Sequence, residues 1–187
     1  MRSHGWSRGN KNQKKIERNY RKLDSKFIFI NSGFNLRPMD LTAAIGLSQL
    51  KRLNSMIKSR SKNRKLIINK IKNHNNWDNQ FEFFSPNKNL KPSWFGLPLL
   101  INKKLFKKKE KFIQYLNRSG VETRPILSGN FLNQESCKLY KFKYKKSDFK
   151  KSQEIEDRGF FIGLPTSDMR SETLNFLCEK LLKIKDL

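Results

Sequence analysis

A mixed α/β or α+β unit of about 130 residues, preceded by a tail from something larger, is what the order of apolar patterns in this chain predicts. Three observations carry that expectation. Stretches with apolar residues at helical spacing alternate with short continuous apolar runs, Gly, Pro and Asn punctuate the junctions, and no segment repeats.

Residues 1–26 are polar, basic and aperiodic and read as an exposed connection. Phe27-Ile28-Phe29-Ile30 runs into Asn31-Ser32-Gly33, which fits an extended segment ending in a turn. Asp40, ahead of Leu41-Thr42-Ala43-Ala44-Ile45, suits an N-cap. Ala44, Leu47, Leu50, Leu53 and Ile57 then recur on one helical face. Charges dominate from Lys58 to Lys65 before Leu66, Ile67 and Ile71 restore the apolar face, so the helix is either long or bent near the polar stretch. Residues 74–91 read as loop, short strand, loop, anchored by Trp77, Phe81, Phe83 and Phe84.

The most apolar segment is Ser93 to Ile101. It reads as a buried strand, with Pro98 implying an edge position or a bulge. Lys107 to Arg118 carries Phe112, Tyr115 and Leu116 on one face and stops at Gly120, as a helix with glycine beyond its C-cap does. A strand is expected over Val121 to Ile126, a short polar helix over Asp148 to Asp157, and a compact apolar run over Gly159 to Pro165. A closing helix capped by Ser171 carries Leu174, Leu177, Cys178, Leu181 and Leu182.

With 187 residues, 36% hydrophobic content and 15 Phe, the chain can supply a packed core. No window reaches the roughly 18 apolar residues of a membrane span, and Met1 to Trp6 lacks the apolar region of a secretory signal. The expectation is a cytoplasmic protein with no membrane partner. Cys137 and Cys178 lie far apart, without Cys or His neighbours at ligand spacing, and read as two buried thiols with no metal site. The 41 Lys+Arg against 16 Asp+Glu give a net charge of +25, enough for nonspecific, salt-sensitive polyanion binding. The lysine runs are dispersed, however, while Asn and Ile are plentiful and Ala and Val scarce, a bias of the whole composition. No nucleic-acid recognition module is found, so charge is the sole support for a basic nucleic-acid-binding protein and no specific nucleic acid is expected.

Four segments are distinctive: Gly33-Phe34-Asn35-Leu36-Arg37-Pro38-Met39-Asp40 through Gly46-Leu47-Ser48-Gln49-Leu50; Pro92-Ser93-Trp94-Phe95-Gly96-Leu97-Pro98; Val121-Glu122-Thr123-Arg124-Pro125 through Ser128-Gly129-Asn130; and Gly159-Phe160-Phe161-Ile162-Gly163. In order and spacing they resemble the DegT/DnrJ family of sugar aminotransferases, and the last three resemble its NDP-4-keto-6-deoxyhexose 3-dehydratase branch. Arg2-Ser3-His4-Gly5 is similar to the segment just beyond that family's cofactor-lysine region. The resemblance covers the whole chain.

It implies the C-terminal portion of a fold-type-I enzyme dependent on pyridoxal phosphate: the tail of the large domain over 1–55, where a linking helix starts, and a small α/β domain over 56–187. It also implies a homodimer, or pairing with a missing N-terminal half, and a nucleotide-linked sugar as substrate, for surface polysaccharide or lipopolysaccharide synthesis. The family's cofactor-holding lysine, or histidine in the dehydratase branch, is expected upstream of this sequence, so no catalytic residue is assigned and the chain alone is not expected to be competent. Aminotransfer and 3-dehydration stay open, as does a noncatalytic remnant or split-enzyme subunit. The iron–sulfur subgroup is disfavoured, because the Cys-rich insertion is absent between Arg8 and Phe27.

By the same resemblance Asn35 and Arg37 reach the phosphate of the neighbouring cofactor, where an amide and a guanidinium suit a dianion. From the residues alone they would be a turn former and a surface charge. Phe34 stands where the family usually has Tyr. Arg124 and Asn130 fall on the sugar-nucleotide side of the cleft, with a strand-end charge and a turn residue as the plainer readings. Trp94 and Phe95 are expected in the core, and His4 and His74 at the surface.

Overall fold

The computed structural model describes residues 5, 7–21, 23–24, 28–34, 36, 38–134, 137 and 143–187. The chain divides into two compact units, residues 1–52 and 53–187.

In the first unit the Ser7 N–H donates to the Ile28 carbonyl (2.8 Å) and the Ile30 N–H to the Gly5 carbonyl (3.0 Å), which buries Ile28. Gly5 is required there. Its φ is +84°, and a Cβ would lie 1.7 Å from the Asn31 carbonyl oxygen. A short helix, α1 (Gln13–Asn19), occupies the stretch read as an unstructured connection. It buries no side chain, so periodicity could not signal it; an i,i+4 bond from Gln13 to Glu17 (2.8 Å) supports it. In α2 (Asp40–Leu50), Asp40 is the first helical residue and Met39 the N-cap, without a side-chain cap. Asp40 still helps, as a carboxylate in a first turn. Ala44, Leu47 and Leu50 are exposed, as is every other residue of α2.

The second unit opens with α3 (Leu53–Lys72). The helical segment breaks at Lys51-Arg52, ahead of the polar stretch, which runs unbroken through α3. The strands β1 (Phe81–Phe83), β2 (Gly96–Ile101), β3 (Thr123–Arg124) and β4 (Gly159–Gly163) form one antiparallel sheet in the order β1-β2-β4-β3. The helices α4 (Lys109–Arg118), α5 (Lys150–Arg158) and α6 (Ser171–Leu182) complete the unit. Ile67 and Ile71 of α3, Phe112 and Leu116 of α4, and Leu177, Cys178, Leu181 and Leu182 of α6 pack on Leu97, Leu99, Ile101, Phe160 and Ile162 of the sheet. Burying these side chains removes apolar surface from water, the main force holding sheet to helices. No helix among the described residues is long and apolar enough to cross a membrane.

Pro98 sits in an interior strand, against the expectation of an edge or bulge. The ladder shows why it is tolerated. The Leu164 N–H to Phe95 carbonyl bond (3.4 Å) and the Asn102 N–H to Gln80 carbonyl bond (2.8 Å) set residues 95, 97 and 99 toward β4 and 98, 100 and 102 toward β1. The missing Pro98 donor therefore faces Phe84, one residue past the end of β1. The Arg64 guanidinium supplies the donor instead, bonding the Phe84 carbonyl while stacking 4.0 Å from the Trp94 ring centroid. Burial pushes the Arg64 pKa below its ordinary value.

Cys137 and Cys178 are buried and free. Burial first, opposed by Lys70 and aided by Glu179, raises the Cys178 thiol to about 11.

Candidate functional site

The end of α4 builds one wall of a cleft. Gly120, at φ +84°, closes a Schellman motif: its N–H donates to the Asn117 carbonyl (3.1 Å) and the Val121 N–H to the Leu116 carbonyl (2.9 Å). The Asn117 side chain then receives the Thr123 N–H (3.1 Å) and hydroxyl (3.0 Å), which fixes β3 beside the helix end. Strand alternation turns the Arg124 side chain the opposite way from Thr123.

An open cleft of about 480 Å³ lies here, lined by Phe95, Phe161, Phe176, Pro165, Met169, Glu122 and Arg124 among others. Arg124 donates Nε and Nη2 to the Glu122 carboxylate, at 3.0 and 2.8 Å, and both side chains are exposed. Phe161 lies over Gly96, where a Cβ would be 2.5 Å from its ring and 2.7 Å from the Ile162 carbonyl oxygen. Gly96→Ala is therefore expected to cost roughly 1–3 kcal/mol by overpacking, read as a lower urea midpoint with an unchanged slope. Phe95 is 68% exposed and tilts against Phe161 at 5.8 Å, a correction to its expected place in the core. Trp94, its neighbour, does pack against the core.

The far wall is the loop between β4 and α6, and a buried amide holds it. Asn63 donates Nδ2 to the Pro165 (3.2 Å) and Ser167 (2.7 Å) carbonyls and accepts the Met169 N–H (3.1 Å). Asp168 is bonded by Lys62 (2.6 Å) and Ser59 (3.3 Å); the Lys62 amine, then its charge, hold that carboxyl below the usual range. Sequence reasoning missed Asn63. Its one signal is spacing, since it stands four and eight residues before Ile67 and Ile71 on the same helical stripe.

Arg124 thus lines the cleft and Asn130 does not. The Asn130 side chain accepts the Leu132 N–H (3.2 Å) and donates to Gln153 (3.0 Å), while its own N–H meets the Glu156 carboxylate (2.7 Å). Gly129, at φ +64°, permits that approach: a Cβ there would stand 2.7 Å from the Glu156 side chain. Asn35, Arg37 and His4 lie outside the described residues. His74 is half-buried and accepts the Asn76 N–H at Nδ1 (3.1 Å). Among the described residues, no group of three or more His, Cys, Asp or Glu side chains could hold a metal ion.

The segments that build this cleft match a known family in sequence as well as in order. The model of the DegT/DnrJ/EryC1/StrS aminotransferase family matches residues 1–182. The chain belongs to that family. Over 166 residues it is 31% identical to the GDP-4-keto-6-deoxy-D-mannose 3-dehydratase of Escherichia coli O55:H7, covering 87% of this chain and 41% of the relative. The Yersinia pseudotuberculosis enzyme of the same name is 29% identical over 178 residues, covering 94% and 44%. The E. coli dehydratase structure with bound hydrated pyridoxal phosphate superposes at a TM-score of 0.79, with 28% identity, over 97% of this chain and 45% of that one. The chain therefore spans less than half the length of these family members.

The family depends on pyridoxal phosphate, and the donor set of the cleft bears on that cofactor. Among the described residues no lysine lines the cleft, and the one arginine there is paired with Glu122. Lys109, whose amine burial pushes below its ordinary value against the pull of Asp157 and Glu156, donates instead to the Glu156 carbonyl at the end of α5. The described residues do not make a site for this cofactor.

Proposed function

We propose that this chain is the C-terminal part of a pyridoxal-phosphate-dependent enzyme that acts on a 4-keto-6-deoxy nucleotide sugar in surface polysaccharide synthesis. The observation that carries the reading is similarity to GDP-4-keto-6-deoxy-D-mannose 3-dehydratases along nearly the full chain, with Arg124 standing at a cleft. That similarity favours 3-dehydration over aminotransfer.

In this reading residues 1–55 complete the large domain, and Asn35 and Arg37 hold the cofactor phosphate across a subunit boundary. Arg124 holds the anionic side of the substrate. Asn130 contributes to the substrate side by holding its turn against α5, the role its bonds support. The exposed apolar side chains of α2 suit burial against a second copy or the cofactor-domain half. A nucleotide-sugar enzyme of this kind works in the cytoplasm.

The test is absorbance of the purified chain with added pyridoxal phosphate, alone and after mixing with a separately produced cofactor-domain half. Cofactor uptake by the mixture, weakened by Arg37→Ala, is the expected result. If neither sample takes up cofactor, the chain is a noncatalytic remnant and the reading describes ancestry alone.

A further inference from the structure

Two segments of the second unit are built alike. Lys103-Lys104-Leu105-Phe106-Lys107-Lys108 and Lys145-Lys146-Ser147-Asp148-Phe149-Lys150-Lys151 each set one phenylalanine between lysine pairs. Each phenylalanine lies in a short 3-10 helix that leads into a longer one, Phe106–Lys108 into α4 and Lys146–Phe149 into α5. Residues 103–111 hold six lysines and one glutamate, and residues 145–151 four lysines and one aspartate, well above the chain-wide 41 basic residues in 187. The bias of the whole composition accounts for abundant lysine. It does not account for the same aromatic-and-lysine arrangement at two turns.

The fold fixes both turns and brings them to one hollow. After β2 the Asn102 side chain accepts the Lys104 N–H (2.9 Å) and donates to the Asn79 carbonyl (2.9 Å). The Leu105 N–H bonds the Asn102 carbonyl (2.8 Å) and the Lys108 N–H the Leu105 carbonyl (2.9 Å). Leu105 packs on the core from this turn, while its neighbour Phe106 is left 43% exposed. In the second turn the Asp148 N–H bonds the Lys145 carbonyl (3.0 Å), and Phe149, edge-on to Tyr144 at 6.3 Å, is also exposed. Lys103 and Phe106 from one segment and Lys150 from the other line an open hollow of about 470 Å³, together with Glu154, Asp157 and Arg158. Its acids are answered locally: Glu154 by Lys103 (3.2 Å) and Arg158, Asp157 by the Gln153 amide (2.8 Å). Lys107, Lys146, Lys150 and Lys151 are exposed and form no ion pair among the described residues.

We infer that these two turns form a docking face for the surface of an anionic lipid bilayer. Lysine amines attract the lipid phosphates while their apolar stems lie against the headgroup layer, and aromatic rings settle at that same depth. Charge and partly exposed rings together give a reversible surface attachment without a spanning segment. The expectation of no membrane partner rested on the absence of a long apolar window, which such a face does not need. Charge complementarity favours a lipid surface over a nucleic-acid strand. A strand lying in the hollow meets the Glu154 and Asp157 carboxylates, whereas a broad surface resting on both turns engages the rings and the unpaired lysines beside them.

Sedimentation of the full chain with vesicles of phosphatidylcholine alone, and of phosphatidylcholine mixed with phosphatidylglycerol, tests this. Binding is expected only with phosphatidylglycerol present, and it should fall as salt rises. Each lysine at such a surface contributes about fivefold, so Lys107→Ala combined with Lys150→Ala should weaken binding roughly 25-fold. Lys58→Ala combined with Lys65→Ala, two exposed lysines of α3, removes the same net charge and should cost far less. Phe106→Ser should weaken binding about fivefold by removing a partly exposed ring, and leave its salt dependence in place. These side chains reach solvent, and a thermal melt checks that each variant folds. Equal losses from the two lysine pairs overturn the face, as does failure of the unaltered chain to bind phosphatidylglycerol vesicles. Vesicle binding untouched by Phe106→Ser overturns it as well, and polyuridylate binding that depends on Lys107 and Lys150 would then assign these lysines to nucleic acid.

Discussion

Asn63→Leu is expected to destabilise residues 53–187 by about 2–3 kcal/mol, a fall in melting temperature of roughly 5–15 °C. Leucine keeps the branching and heavy-atom count of asparagine without its polar atoms, so lost hydrogen bonds dominate the effect. Three backbone groups lose their partner together: the Pro165 and Ser167 carbonyls and the Met169 N–H. Both carbonyls belong to exposed residues, and water replaces part of what is lost, which keeps the figure below the sum of three buried bonds. The same change frees Pro165 and Met169, which line the cleft. A loss below about 1 kcal/mol would show that the loop is held elsewhere, since exposed pairs such as Lys62–Asp168 contribute little.

Arg158→Met should be comparably damaging, at roughly 2–4 kcal/mol. Arg158 ends α5, and the β2–β4 register extended by one residue sets it opposite Ile101. Its main chain is helical there, and the buried side chain turns back so that Nε bonds the Ile101 carbonyl (2.6 Å) while the other nitrogens bond Glu154 and Glu82. Methionine fills much of the stem volume and leaves that carbonyl without a donor. Glu82 and Glu154 retain solvent, so the carbonyl and the lost packing dominate the cost.

Acid titration gives an independent reading of the same cluster. The Lys103 amine bond, then its charge, with Arg158 adding, holds the Glu154 carboxyl below its ordinary 4.5. A carboxyl with a depressed folded-state pKa stabilises the fold above 4.5 and loses that contribution as pH falls through the folded value. The acid-induced loss should therefore be shallower in Arg158→Met than in the unaltered chain, measured by urea unfolding at neutral and acid pH. An equal loss in both would show that Arg158 does not act on this carboxylate.

Local patterns account for much of what was legible. The helix ahead of Gly120 follows from apolar spacing and a glycine beyond the C-cap, and the final helix from apolar spacing alone, its N-cap being Arg170 and not the expected Ser171; such signals act within one or two turns. The apolar runs at Ser93–Ile101 and Gly159–Pro165 became β2 and β4 because only a buried strand accommodates runs so short and so apolar. Arg124 was legible through its motif, as was the family. α1 was hidden because it buries nothing, and Asp40 sits one residue from its expected cap position because cap and first turn favour the same side chains.

By itself, then, the sequence determined the family, the alternation of helices and strands, and the residues able to form a core. Tertiary structure decided the rest through partners distant along the chain. Pro98 is tolerated inside the sheet because β1 stops one residue short and Arg64 supplies the donor. Asn63 and Arg158, ordinary polar residues in their own helices, become buried because carbonyls about 100 and 57 positions away need donors. Phe95, one residue ahead of β2, reaches the cleft beside Phe161, for which the bare Gly96 leaves room. Periodicity reports which face of a segment is apolar; only packing reports which polar group must answer another.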